Sequence, residues 1–260
     1  MKKPARILAI VLTAIVVLLV VLLVAIGIFG GSLVKKAVQV AGTSALKVPV
    51  AVSGADLSVL GGTVGLRGVQ IDNPPGYQHK KLLTLGSARI SVNVRSLLSD
   101  TVHIRQIILD GVDLTLEQKG LGSNLQDIIH NLPKSEQPQG TESTGKKLRI
   151  DLLEIRNIKV EAKLLPLPGK ADTVPLKLST IRMTDLGKNG TLDAAGLTAK
   201  VLLAIAGGIA EQGTGLLPKD LVGGMSSALN KTADAGRGIL KGATDLGKGV
   251  TNLFAPKRKK

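Results

Sequence analysis

Residues Val102 to Glu117 read VHIRQIILDGVDLTLE. Val112, Leu114 and Leu116 alternate with Asp113, Thr115 and Glu117, the period of a strand with one apolar and one wet face. The hexamer Leu109-Asp110-Gly111-Val112-Asp113-Leu114 within it has two counterparts, Leu66-Arg67-Gly68-Val69-Gln70-Ile71 and Ile155-Arg156-Asn157-Ile158-Lys159-Val160, spaced by 43 and 46 residues. All three read aliphatic, charged, Gly or Asn, aliphatic, polar, aliphatic. In each copy the apolar parity flips at Gly68, Gly111 or Asn157, residue types that tolerate positive φ. A flat strand cannot flip, so each copy holds either a bulge or a two-residue hairpin turn, for which Asp110-Gly111 is a good type I′ pair. Three copies of one β unit imply a repeated sheet.

Further strands surround the repeat. Val48, Val50 and Val52 alternate with polar or small neighbours, and Pro49 places them at a strand start or sheet edge. Thr63 to Ile71 runs into Asp72-Asn73-Pro74-Pro75-Gly76-Tyr77, where Pro75-Gly76 fits the centre of a type II turn. Ala88 to Val94 presents Ala88, Ile90, Val92 and Val94 on one face. Ser123 caps a short helix answered by Gln126, with Leu125, Ile128, Ile129 and Leu132 on its inner side until Pro133. Residues Pro133 to Lys147 contain no apolar residue beyond the prolines and read as a linker. Strand character returns over Leu148–Leu164 and Leu176–Met183.

From Asp193 the period becomes helical, with Leu197, Val201, Leu202, Ile205 and Ile209 on one face up to Gly213. Pro218 opens a second helix reaching Leu253, and Pro218 to Lys260 holds nine basic and three acidic residues. Its Lys231, Arg237, Lys241 and Lys248 are candidates for contact with an anionic membrane surface. A poorly ordered, Gly-rich tail is the other reading.

The longest apolar run is Ile7 to Phe29, 23 uncharged residues. As a helix it spans about 35 Å, enough to cross a bilayer. A cleaved signal peptide would have a shorter apolar region. Lys2, Lys3 and Arg6 ahead of it orient the rest of the chain away from the cytoplasm, although Lys35 and Lys36 lie just beyond. Gly27 and Gly31 form a GxxxG at its exit. Ser32 to Ala41 continues as helix, with Gly42 as its stop.

Composition narrows the function. The only aromatics are Phe29, Tyr77 and Phe254, so the core relies on Leu, Ile and Val, and there is no cysteine for disulfides or thiol chemistry. The net charge of +15 calls for anionic partners. Without aromatic rings among the cations, nucleic acid is not expected, and membrane proximity accounts for the charge. His79, His103 and His130 lack ligand-spaced neighbours, so no metal is expected. Gly140 to Lys147 falls short of a P-loop because Lys147 stands where Ser or Thr would hold magnesium. No catalytic motif or cofactor site is found, and the chain is expected not to be an enzyme.

The apolar N-terminal segment, the glycine-marked strand, Asp72-Asn73-Pro74-Pro75-Gly76-Tyr77, Ser91-Val92-Asn93-Val94-Arg95-Ser96-Leu97-Leu98-Ser99-Asp100, the Val102–Glu117 strands and Asn124-Leu125 together resemble the AsmA-like proteins of Gram-negative envelopes. The similarity covers Ile7 to Leu132 well and Leu148 to Met183 loosely. It implies a single-pass inner-membrane protein with a periplasmic domain, a curved sheet with an apolar concave groove, and a part in phospholipid delivery or outer-membrane biogenesis. The expected fold is therefore α+β: a transmembrane helix, a mostly antiparallel sheet and C-terminal amphipathic helices. Residues 1–6 form the cytoplasmic tail, 7–29 the anchor, 42–186 the β domain with a linker at 133–147, 193–255 the helical region and 256–260 a basic tail. The lipid-groove candidates are Ile90, Val92, Val94, Val112, Leu114, Leu116, Ile158 and Val160, with Gly68, Gly111, Asn157, Pro75 and Gly76 at turns or bulges. Phospholipid and the membrane are the implied partners, with envelope proteins possible in addition. Alternation leaves open whether lipid or the protein's own helices cover the apolar face. A non-transporting scaffold is thus the rival reading.

Overall fold

A computed structural model describes residues 30–132, 146–165, 172–190 and 192–235. The chain is α+β, with a mixed, mostly antiparallel sheet of eight strands ordered β1-β2-β3-β4-β6-β7, where β8 continues the β7 edge along β6 and short β5 pairs with β4. The strands are β1 (Val50–Ser58), β2 (Thr63–Asp72), β3 (Lys81–Val92), β4 (Thr101–Lys119), β5 (Gly122–Ser123), β6 (Lys147–Lys163), β7 (Thr173–Leu178) and β8 (Ile181–Leu186). Among the described strands only β4 and β6 run parallel. Among the described residues there are four helices: α1 over residues 30–46, α2 (Asn124–Asn131), α3 (Ala194–Gln212) and α4 (Lys219–Ala235).

The repeated hexamers lie inside β2, β4 and β6, not at hairpins. Gly68, Gly111 and Asn157 have φ of +58°, +74° and +53°. Pairing continues on both sides of each: Arg67↔Ser87 and Val69↔Leu85, Ser87↔Asp110 and Leu85↔Val112, Asp110↔Arg156 and Val112↔Ile158. The hairpin alternative therefore fails. No residue is inserted on one strand relative to its neighbour either, as an ordinary bulge would require. Every strand flips at the same level instead.

The flip produces a crease across the sheet. On its two sides, in-register rows Val52–Val69–Leu85–Val112–Ile158–Leu178 and Ala55–Leu66–Ala88–Leu109–Ile155–Ile181 point to the same face, although members of one strand are three residues apart. A left-handed residue in the middle of a strand turns the next side chain through half the pleat, so one apolar face survives the break in alternation. At the crease the backbones approach closely: a Cβ on Gly68 would lie 2.5 Å from Ser53 Oγ, and one on Gly86 3.2 Å from the Asp110 carbonyl oxygen. On the wet face Asp110 accepts from Arg156 at 3.1 Å and from Asn157 Nδ2 at 2.6 Å, which holds the Asn copy of the motif in its left-handed turn. The expected strand Leu176–Met183 is interrupted at the same level and divides into β7 and β8.

We call proximal the half of the sheet that ends at the 59–62 turn and the short 3-10 turn Val94–Leu98, and distal the half that ends at residues 72–80 and 119–124. Helix α1 flanks β1 with Gly31 toward the proximal end: Gly31 abuts the Ala55 carbonyl and Gly42 the Val50 side chain. It passes Gly42 and runs to residue 46, where Lys47 takes φ +59°, so the expected stop at Gly42 is displaced by one turn. Helix α3 packs on β6, β7 and β8, α2 on β4, and α4 on α2, α3 and β5. Asp193 caps α3, accepting from Gly196 N at 2.8 Å. Ser123 caps α2 as its spacing suggests, but Gln126 does not fold back; its side chain donates to the Leu221 carbonyl of α4.

Among the described residues no helix is long and apolar enough to cross a membrane. The anchor segment Ile7–Phe29, the cytoplasmic tail, the linker up to residue 145 and the chain after Ala235 lie outside the described residues.

Candidate functional site

The apolar face is covered unevenly. Val112, Leu114, Leu116, Ile158 and Val160, all distal to the crease, are buried in one core with Leu125, Ile128, Leu203, Ile205, Ile209 and Leu221 of the helices. As found here these five candidates contact protein, because α2, α3 and α4 lie over them. Ile90 and Val92, proximal to the crease, are half-buried. Val94 leaves the sheet altogether: β3 ends at Val92, and Val94 opens the 3-10 turn, with its backbone redirected by Asn93, whose side chain caps Arg95 N. The strand period reading of Ala88 to Val94 therefore overran by two residues.

Register extends the half-open surface beyond the expected residues. Leu57 pairs with Val64, Val64 with Ile90, Val92 with Ile104, and Val102 with Leu148, so all point to the same side. Leu57, Val64, Val102, Leu109 and Leu148 are also half-buried, whereas Ile150, Leu153 and Ile155 on β6 are fully covered. Helix cover thus fades from β6 toward β2 on the proximal half. Leu57, Val102 and Leu148 carried no distinguishing signal in the sequence, since their place on this surface follows from pairing partners dozens of residues away.

The distal end is a polar latch. Asn124, completely buried, accepts from Glu117 N and Leu125 N at 3.0 and 2.9 Å and donates to the Thr115 carbonyl at 2.7 Å and Asn73 Oδ1 at 2.8 Å. Buried Glu117 accepts from Gln78 N at 2.6 Å, His79 N at 3.0 Å and faces His79 Nδ1 at 2.9 Å. Burial pushes its carboxyl pKa up, but the two backbone amides and the His79 ring outweigh that and leave it below the ordinary range. Tyr77 donates to Asp127 at 2.6 Å; burial and this acceptor raise its pKa and keep the phenol protonated. Gly76 turns at φ +90°, with Lys119 Nζ lying 5.1 Å from the Tyr77 ring centre. The Asp72–Tyr77 and Asn124-Leu125 motifs are therefore structural, fastening the 72–80 loop to β4 and α2.

Lys200 of α3 is buried, and desolvation pushes its ammonium down to about 8 from 10.5. The folded value lies below the unfolded one, so the unfolded chain binds more protons between them and stability rises with pH over that window. Lys200→Met is expected to stabilise the protein by about 2 kcal/mol at pH 7 and to lose that advantage by pH 10.5. Urea unfolding of both proteins in mild detergent across this range checks it; an unchanged difference between them at every pH refutes it.

Of the membrane-surface candidates, Lys231 lies in α4, while Arg237, Lys241 and Lys248 lie outside the described residues. Among the described residues no group of three or more His, Asp or Glu side chains could hold a metal.

This geometry defines a scaffold class: a creased sheet that presents one aliphatic face, helix-covered at one end and half-open at the other. The AsmA family model matches residues 1–190, and the chain belongs to the AsmA family. No curated protein matches it.

Proposed function

We propose that this protein is a membrane-anchored, periplasmic component of the bacterial envelope whose half-open proximal surface takes up phospholipid acyl chains. The observation that carries this reading is the in-register aliphatic surface of Leu57, Val64, Ile90, Val92, Val102 and Leu148, which the helices leave partly uncovered. Family membership supports an envelope role. Acyl chains laid on such a face leave water, at about 0.8 kcal/mol per buried CH₂. Without aromatic rings the surface offers no lateral keys, so chains slide along it. The reaction is binding and guidance, not bond making.

The helix cover over Val112, Leu114, Leu116, Ile158 and Val160 favours a second reading, a structural scaffold that carries no lipid. Lipid extraction separates the two. The full chain, purified in a non-lipid detergent, is expected to retain phospholipid at a fixed stoichiometry, and Val64→Glu with Val92→Glu to lose it while staying folded. Equal lipid content in both proteins, or none in either, leaves the scaffold.

A further inference from the structure

We propose that the proximal rim of the sheet rests in the membrane interface, with Leu60 and Leu98 inserted among phospholipid headgroups. Leu60 and Leu98 are 90% and 94% exposed, and Leu97 also faces solvent. Exposed leucines on two adjoining turns make an apolar patch of the kind that marks a membrane or partner contact. The two turns form one ledge: Val92 N donates to the Gly62 carbonyl at 2.7 Å, and a Cβ on Gly62 would lie 2.9 Å from Val94 Cγ2. Lys146 Nζ ties the ledge down from the neighbouring strand through the Leu97 and Ser99 carbonyls at 2.5 and 3.0 Å. Exposed Arg95 lies in the same turn as Leu97 and Leu98, Arg105 reaches the Val92 carbonyl and Lys146 the Leu97 carbonyl, against Asp100, and these cations suit anionic headgroups.

The course of α1 decides which surface covers this rim. Gly31 lies at Ala55 and Gly42 at Val50. Eleven helical residues rise about 16 Å and five strand residues about 17 Å, so α1 runs alongside β1 in the opposite direction. Traced backward to residue 30, the first one described, it leads toward the 59–62 turn, and the apolar stretch Ile7–Phe29 directly precedes that residue in sequence. On the anchor reading, the described part of α1 therefore points the proximal side of the fold toward the bilayer. Leu121 and Leu165 are exposed too, but they follow the distal ends of β4 and β6. The rim adjoins the half-open surface at Val92, Val102 and Leu148, so a lipid leaving the bilayer would meet aliphatic surface without crossing water.

This inference rests on the anchor reading of Ile7–Phe29, and its test keeps the two apart from lipid carriage. The chain has no cysteine, so Leu60→Cys, Leu98→Cys and Leu121→Cys each introduce a single labelling site. The full-length variants, carrying an environment-sensitive nitrobenzoxadiazole label, are reconstituted into phosphatidylethanolamine–phosphatidylglycerol vesicles with or without brominated acyl chains. Labels at 60 and 98 are expected to shift to the blue and lose about half their emission to brominated lipid, as for side chains about 5–10 Å into the interface, while the label at 121 is unaffected. A chain that floats with the vesicles but is quenched no more at 60 and 98 than at 121 refutes the rim. A chain that fails to float refutes the anchor and the rim with it. Neither result touches the lipid extraction above, which reads the aliphatic surface itself.

Discussion

Leu114→Asp is expected to unfold the domain, while Val92→Glu, on the same face of the same sheet, leaves it folded. Leu114 is 2% exposed and pairs with Leu83 and Val160 under the helices. A carboxylate there has neither water nor a cationic partner, and an uncompensated buried charge together with the lost leucine costs more than about 4 kcal/mol. That is a large share of the roughly 5–15 kcal/mol by which such domains are stable. Val92 ends β3 at the proximal rim and is half-buried, so a glutamate can turn its head to solvent for a cost nearer 1 kcal/mol. Circular dichroism and limited proteolysis of the full chain in detergent read both. A folded Leu114→Asp protein would mean that the helices swing away from the sheet and that the distal face is open as well.

The second large effect is expected from Asn124→Ala, a drop of about 3–4 kcal/mol, because the change strands several buried partners at once. The buried amides of Glu117 and Leu125 lose their acceptor, and the half-buried Thr115 carbonyl and Asn73 side chain lose a donor. Asn124→Asp keeps the acceptor and should fall between the two. Urea midpoints at unchanged denaturant slope measure this loss as stability alone. A change below about 1 kcal/mol would show that the loop carrying Asp72–Tyr77 is held by other contacts.

The AsmA-like motifs were thus legible in the sequence, but their work was not. Asn124 and Asn73 are 51 residues apart and meet through a single hydrogen bond. Nothing in local spacing reports such a contact. The repeat was legible for a different reason: a left-handed backbone has so few acceptable residue types that Gly68, Gly111 and Asn157 stand out in an aliphatic run. Their alignment into one crease was not, because register between strands 43 and 46 residues apart depends on turns and a crossover that the pattern does not encode.

The sequence by itself determined the strands and their apolar faces, the N-cap positions at Ser123 and Asp193, the glycine-marked flips and the family they belong to. These rest on local rules, the period of the pleat, the orphan amides of a helix start and the steric limits on φ. Only the tertiary structure decided what covers each apolar residue. Alternation says that a side must leave water, and is indifferent to whether a helix or a lipid removes it. The same aliphatic period therefore became sealed core at Leu114 and Val160, half-open surface at Ile90 and Val92, and an exposed rim at Val94, according to where α2, α3 and α4 came to rest.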